Sequence, residues 1–338
     1  MQQIIIILTV FALVLGWCWI GLMAEPQQQQ QPKPIEEDEP VPEGQATLRV
    51  QVEQIQVDVT VTDKNGNLIQ SLSREHFKLY EDKVEQEITN FSPVEAPMTA
   101  VFVAEYSKVL PWEALYEVWW ASRIFVSNMR PGDWVALIAY DIRPEILVDF
   151  TQNPGEVMEA LRRLNYPAFR ESNLYDTVID TLDRLEEVKG KVAIILVTSG
   201  LDTFSKHNLQ DVLKASRRTN VVIYPVSLLG NYRARYDQYF GSMARLDFQQ
   251  ADVTLRTIAK NTGGEAYFPR FESAFPGVFE NISAMLRSQY TVSYVSSNPV
   301  KDDKYRKIRV DVTADIDGDG KPDKLKVRHK DGYIPKVS

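Results

Sequence analysis

Apolar runs alternate with helical patterns through the middle of the chain, whereas a stricter two-residue alternation marks both ends. The most informative run is residues 100–104, which is apolar, rich in Val and Phe, and stops at Glu105. A polar turn and a helical pattern follow, so we predict a buried parallel strand that leads into a crossover helix. Ligands of open α/β sheets bind beyond the carboxyl ends of such strands, where Glu105 and Ser107 would lie.

The middle of the chain continues this alternation. Predicted helices cover 111–129, 154–164, 174–188, 209–218, 253–261 and 273–289. Predicted strands after the first cover 134–140, 146–150, 192–197, 221–226 and 265–268. The intervening residues 231–249 are expected to form a long connection. Strands and helices in this order predict an α/β fold with a doubly wound, mostly parallel sheet.

The two-residue alternation at the ends predicts half-buried strands. Such strands are expected at 48–61, 77–80 and 88–91, and again at 290–295, 306–313 and 324–329. Each end is marginal in size as an independent sheet. We therefore expect an N-terminal β unit, 46–96, to pack with a C-terminal β unit, 290–338, as a β-sandwich beside the α/β domain, 97–289.

The N-terminus is apolar from Ile4 to Met23, a stretch of 20 residues, about the length of a membrane-spanning helix. Residues 1–24 are therefore interpreted as either a cleaved signal peptide or a retained membrane anchor. Residues 25–45 are rich in Gln, Pro and Glu, which predicts a disordered linker. Together these segments predict export to the cell envelope or periplasm, with the N-terminal segment as the membrane attachment.

The net charge and the few cysteine and histidine residues argue against several classes of function. The net charge of −8 argues against a nucleic-acid partner, because phosphate binding needs a basic surface. Cys18, the only cysteine, lies in the N-terminal apolar run, so the folded part has no intrachain disulfide. The three histidines stand beside no Ser or Cys nucleophile motif, and we predict that the protein is not an enzyme. The oligomeric state is left open.

Several separated strings support a family resemblance. They are Val-Thr-Val-Thr-Asp-Lys-Asn-Gly at 59–66, Phe-Lys-Leu-Tyr-Glu-Asp at 77–82, Ser-Asn-Leu-Tyr-Asp at 172–176, Thr-Gly-Gly at 262–264 and Leu-Arg-Ser-Gln-Tyr-Thr-Val-Ser-Tyr at 286–294. With the order of elements, they resemble a von Willebrand factor type A (vWA) domain, and more closely the bacterial exported vWFA-related proteins. The resemblance runs over about residues 48–335 and implies a vWA, Rossmann-like fold.

The resemblance also implies a metal-ion-dependent adhesion site (MIDAS). In that site an Asp-x-Ser-x-Ser motif, a later Thr and a later Asp hold Mg²⁺, a hard cation that prefers oxygen ligands. The corresponding positions here are Glu105, Ser107, Ser172, Ser199 and Asp202. Val109 replaces a hydroxyl ligand, and Lys108 adds a positive charge beside the site. We therefore expect a degenerate MIDAS that does not bind Mg²⁺.

A second metal motif lies near the C-terminus. Residues 315–323 follow the Asp-x-Asp-x-Asp-Gly pattern of calcium loops, with Asp315, Asp317, Asp319 and Asp323 as candidate ligands. Position twelve of the motif is Lys326 instead of Glu, and the flanking alternation favours a β-hairpin over a helix-loop-helix. We predict a Ca²⁺ site, and the alternative is an acidic Asp/Gly turn.

The connection 231–249 carries residue types that are enriched at protein interfaces. Its candidate partner-binding residues are Tyr232, Arg233, Arg235, Tyr236 and Tyr239. The alternative is an insertion that packs on its own domain. Overall we expect an exported, membrane-tethered binding protein for another protein or a surface polymer, without a MIDAS metal. The alternatives are a scaffold or assembly subunit of an envelope complex, and Mg²⁺-dependent binding through Glu105 and Asp202.

Overall fold

The computed structural model describes residues 54–92, 97–108, 110, 112–163, 169–188, 190–300 and 302–335, within the compact unit Val52–Ser338. The predicted signal peptide or anchor, 1–24, and the predicted linker, 25–45, lie outside the described residues. Within the described part, no helix combines the length and the apolar character needed to cross a bilayer.

The chain folds into β-strands and α-helices in the following order. The strands are β1 (Gln54–Thr62), β2 (Phe77–Glu81), β3 (Val84–Gln86), β4 (Ile88–Ser92), β5 (Thr99–Glu105), β6 (Trp134–Tyr140), β7 (Pro144–Thr151), β8 (Val192–Thr198), β9 (Val222–Ser227), β10 (Tyr290–Val295), β11 (Arg306–Val312), β12 (Lys326–Arg328) and β13 (Gly332–Tyr333). The helices are α1 (Trp112–Ser127), α2 (Pro154–Arg163), α3 (Leu174–Arg184), α4 (Leu209–Ser216), α5 (Leu229–Tyr236), α6 (Ser242–Thr262) and α7 (Phe275–Arg287).

A five-stranded sheet in the order β7-β6-β5-β8-β9 forms the centre of the α/β unit. Its strands are parallel except β7, which runs antiparallel to β6 at one edge. The four parallel strands are covered on both faces, which is why they are almost entirely apolar, whereas the edge strand β7 is partly exposed. Phe102 packs on the side of α1 and α7, and Val103 packs on the side of α3 and α4. The predicted doubly wound α/β fold is confirmed.

Strands from both ends of the described chain build a β-sandwich. One sheet has the order β12-β1-β10-β4 and the other β13-β11-β2-β3, with antiparallel pairs throughout. A single apolar core lies between the sheets and includes Val59 and Val292 from the first and Leu79 and Val310 from the second. The predicted combination of N- and C-terminal strands is therefore confirmed, and the α/β unit is inserted between the two halves of the sandwich.

Three local predictions are wrong. Residues 231–249 are not a long connection: most of α5, a 3₁₀ turn (Asp237–Tyr239) and the start of α6 occupy them. Residues 265–268 make one bridge, between Tyr267 and Val226, instead of a strand. Residues 315–323 do not close a β-hairpin, because β11 pairs with β2 and β13 whereas β12 pairs with β1. That loop crosses from one sheet of the sandwich to the other.

Candidate functional site

Glu105 ends the central strand β5 at the carboxyl edge of the sheet, and its side chain is fully buried. Its Oε2 accepts hydrogen bonds from the Ser199 amide at 2.7 Å, from Ser199 Oγ at 2.7 Å and from Thr198 Oγ1 at 2.9 Å. Its Oε1 accepts a hydrogen bond from Ser107 Oγ at 2.9 Å. The structure thus brings together three of the five predicted MIDAS residues: Glu105, Ser107 and Ser199.

Two further residues complete this cluster and were not predicted as site residues. Thr198 ends β8 and Tyr140 ends β6, the two strands on either side of β5. Thr198 Oγ1 has one proton, which it donates to Glu105, so the Tyr140 hydroxyl donates to Thr198 at 2.8 Å. Complete burial, followed by the nearby Glu105 charge, raises the pKa of Tyr140 well above its ordinary value and keeps it a donor. Position at the ends of adjacent parallel strands is the signal that could have identified both residues.

The hydrogen bonds around Glu105 bear on whether this cluster could bind a divalent cation. Four donors already bond to the Glu105 carboxylate, three of them to Oε2 and one to Oε1. The hydroxyls of Ser107, Thr198 and Ser199 give their protons to one carboxylate, whereas a cation would require oxygen lone pairs to converge on one point. Val109 lies outside the described residues. The described residues form a hydrogen-bond cluster around one carboxylate, and that this cluster does not bind Mg²⁺ stays a prediction.

The other two predicted MIDAS residues have structural roles beside the cluster. Asp202 Oδ1 accepts hydrogen bonds from the amides of Leu174 at 2.9 Å and Tyr175 at 3.3 Å, so it stabilises the N-terminus of α3. Ser172 is buried next to the Tyr140 hydroxyl, and its backbone oxygen accepts the Thr203 amide at 2.9 Å. Asp202 is thus directed toward a helix end and not toward Glu105.

The acidic loop 315–323 is wound around its own carboxylates at the surface. Asp315 accepts hydrogen bonds from the amides of Gly318 at 2.7 Å and Gly320 at 2.8 Å. Carboxylate oxygens of Asp315, Asp317 and Asp323 lie within 4.8 Å of one another. Asp319 is outside that triad and accepts the Lys321 amide at 2.8 Å instead. Three of the four predicted calcium ligands thus converge, and whether they bind Ca²⁺ stays a prediction.

The five predicted partner-binding residues lie on α5 and the following 3₁₀ turn. Tyr232 contacts the ring of Tyr236, with centroids 5.0 Å apart, and Arg233 pairs with Asp252 at 2.7 Å. Arg235 approaches Glu272 at 3.9 Å and is exposed. Four of these side chains therefore have contacts within their own domain, and a role for them in partner binding stays a prediction.

Four large apolar side chains slightly further along the chain are exposed, among polar and charged neighbours. Tyr239 is 75% exposed, and Met243 and Leu246 on α6 are 74% and 63% exposed. Val253, seven residues after Leu246, lies on the same face of α6 and is also exposed. We call Tyr239, Met243, Leu246 and Val253 the α6 surface.

Comparisons with known proteins give distant similarities. No family model matches the chain, and none of the curated proteins matches it. Similar solved structures include a von Willebrand factor type A protein from Catenulispora acidiphila, at 10% identity and TM-score 0.44, covering 84% of this chain and 75% of that chain. BatB from Bacteroides thetaiotaomicron is 13% identical, with TM-score 0.42, covering 57% of this chain and 100% of that chain.

A third similar structure is the vWF domain of the type V pili tip protein Mfa5 from Porphyromonas gingivalis. It is 13% identical, with TM-score 0.41, covering 56% of this chain and 96% of that chain. Similarity at these levels carries no information on activity or partners. The resemblance of the α/β unit to vWA domains rests on this chain's own strings and on its order of strands and helices.

Proposed function

We propose that this chain is an exported, membrane-tethered binding protein whose α/β unit contacts another protein or a surface polymer without a bound MIDAS metal. The observation that carries the proposal is the α6 surface. Met243, Leu246 and Val253 are exposed apolar side chains on one face of α6, with the exposed Gln250 between the last two, and Tyr239 precedes them. Exposed apolar side chains that share one face favour a binding surface, whereas single scattered ones do not.

The charge and hydrogen bonding of the Glu105 cluster support the proposed independence from metal. The carboxylate is stabilised by hydroxyl and amide donors, so it requires no cation to be buried at the end of β5. A Mg²⁺ ion would have to displace these donors, and Asp202 would have to leave the N-terminus of α3. Both costs argue against Mg²⁺-dependent binding through Glu105 and Asp202.

A photo-crosslinking residue at Leu246, in the full chain in its native envelope, tests the proposal. We expect crosslinked adducts that survive EDTA and fall at least about tenfold when Met243→Asp places a charge in the apolar contact. A crosslinker at Val84, which is an exposed apolar residue of the sandwich, is the matched control.

The other outcomes separate the alternatives. Adducts at Val84 but not at Leu246 would indicate a scaffold or assembly subunit whose sandwich makes the contacts. Adducts at Leu246 that disappear with EDTA and return with Mg²⁺ would contradict the metal-free mechanism.

A further inference from the structure

One buried carboxyl group belongs to neither cluster described above. Glu117 lies on α1 with only 2% of its surface exposed. Its Oε1 accepts a hydrogen bond from Nδ2 of Asn231, which is on α5. Its Oε2 is buried and has no hydrogen-bond partner within the described residues. A buried carboxylate oxygen without a donor is unfavourable when the group is charged and much less so when it is protonated.

The charged groups that face Glu117 do not neutralise it. Glu113 on α1 and Glu272 in the turn before α7 have the same sign, and Arg235 on α5 has the opposite sign. Arg235 also approaches Glu272, so its charge is divided between two carboxylates. Burial is the main cause that raises the pKa of Glu117 to about 7, and the Asn231 hydrogen bond offsets only part of that effect.

The contact between Glu117 and Asn231 connects α1 to the segment that leads to the α6 surface. At the start of α5, a Cβ on Gly230 would collide with the backbone oxygen of Pro269, so this end of the helix is closely packed. Beyond Tyr236, a single 3₁₀ turn separates α5 from α6. Any loosening of α5 from α1 therefore changes the position of Tyr239 and the first turn of α6.

We propose that Glu117 is a protonation-controlled latch, whose neutral carboxyl group holds α5 on α1 and whose ionised form releases it. The latch would regulate how the α6 surface is presented, and that second part rests on the proposed binding function. The first part concerns α5 alone and can be tested without a partner.

The direction of the pH effect follows from linkage. With α5 in place the carboxyl group titrates near pH 7, and after release it titrates near the ordinary value of 4.5. Between these values the closed state binds more protons than the open state, so raising the pH favours opening. The opening constant should rise up to about tenfold per pH unit over this range and level off above pH 7.

Hydrogen exchange of the full chain between pH 5 and pH 8, corrected for the intrinsic pH dependence of exchange, measures this opening. We expect amides of α5 to lose at least about tenfold protection over this range, while amides of β8 stay protected. Glu117→Gln keeps the size of the side chain and should remove the pH dependence. Glu113→Gln, an exposed neighbour on α1, should retain it.

Two results would overturn the latch. One is that the corrected exchange of α5 amides in the wild type is the same at pH 5 and pH 8. This measurement uses the wild type alone, so it does not depend on whether a variant folds. The other is a pH dependence in Glu117→Gln equal to that of the wild type. If exchange of α5 depends on pH but no crosslinks form at Leu246, the proposed function is contradicted and the latch is not. If crosslinks form at Leu246 but exchange of α5 does not depend on pH, the latch is contradicted and the proposed function is not.

Discussion

The two halves of the molecule each bury a glutamate, and they neutralise it in different ways. In the sandwich, Glu81 pairs with Arg306 at 3.2 Å, and its Oε2 accepts hydrogen bonds from Tyr294 at 2.7 Å and Tyr333 at 2.9 Å. Both members of the ion pair are nearly inaccessible to water. The negative charge is thus balanced by one positive charge within the sandwich core.

Glu105 has no such cation among its hydrogen-bond donors. Its charge is balanced by the hydroxyls of Ser107, Thr198 and Ser199 and by one backbone amide. A charge pair concentrates the stabilisation in one partner, because loss of that partner leaves the other charge buried and alone. A set of dipoles distributes the stabilisation, so that each member contributes less.

The largest effect is expected for the sandwich pair. Arg306→Met keeps a long side chain but leaves Glu81 buried without its cation. We expect the free energy of unfolding, measured in urea, to fall by about 3–5 kcal/mol. Lys307→Met, at the adjacent exposed position of β11, is the control and should change it by less than about 0.5 kcal/mol. Equal small effects of both variants would show that Glu81 does not depend on Arg306.

A smaller effect is expected for the dipole cluster. Glu105→Gln keeps the shape, removes the charge and turns one acceptor into a donor that faces other donors. We expect the free energy of unfolding to fall by about 2 kcal/mol, the range for hydrogen bonds to a charged group. Glu145→Gln on the exposed edge strand β7 is the control.

The same pair of variants tests the role of metal at Glu105. In Ca²⁺-free buffer, thermal unfolding of the wild type should be unchanged by Mg²⁺. A Mg²⁺-dependent rise in the midpoint of the wild type that is absent in Glu105→Gln would remove the contrast between the two glutamates, because Glu105 would then also use a cation.

The smallest effect is expected for the triad of Asp315, Asp317 and Asp323, whose carboxylates lie at the surface instead of being buried. If Ca²⁺ binds the triad, free Ca²⁺ at ten times its Kd should stabilise the wild type by about 1.4 kcal/mol. Asp317→Ala should abolish this gain, whereas Asp319→Ala should keep most of it, because Asp319 lies outside the triad. Calorimetry with Ca²⁺ and EDTA measures both. If both variants lose the stabilisation by Ca²⁺ equally, or if Ca²⁺ does not stabilise the wild type, the loop is better described as an acidic Asp/Gly turn.

The sequence predicts the α/β sheet and the sandwich because their strands have strong, local signals. Residues 100–104 are apolar because both faces of β5 are covered, and Val57 and Val59 of β1 alternate with half-exposed residues. The position of Glu105 at the end of β5 is likewise readable from the chain. Its donors are not, because Thr198 and Ser199 reach it only through the pairing of β5 with β8.

The wrong predictions arise where the local pattern of apolar residues is weak or does not report the actual contacts. The first part of α6 lacks helical periodicity, since Phe248 is the one buried side chain of residues 242–250. Phe240 packs on Phe248 with ring centroids 5.0 Å apart. The pattern of apolar residues in this segment does not predict that contact. The strands that flank residues 315–323 read as a hairpin because their pairing with β1 and β2 cannot be seen locally.

The insertion of the α/β unit between the two halves of the sandwich has a mechanical consequence. A pull on the chain ahead of Gln54 would load β1 along its length, between β10 on one side and β12 on the other. The antiparallel hydrogen bonds of these pairs lie across that direction and would have to break together. The sandwich would therefore resist such a pull by shear, because β1 can leave it only when the hydrogen bonds on both of its sides break.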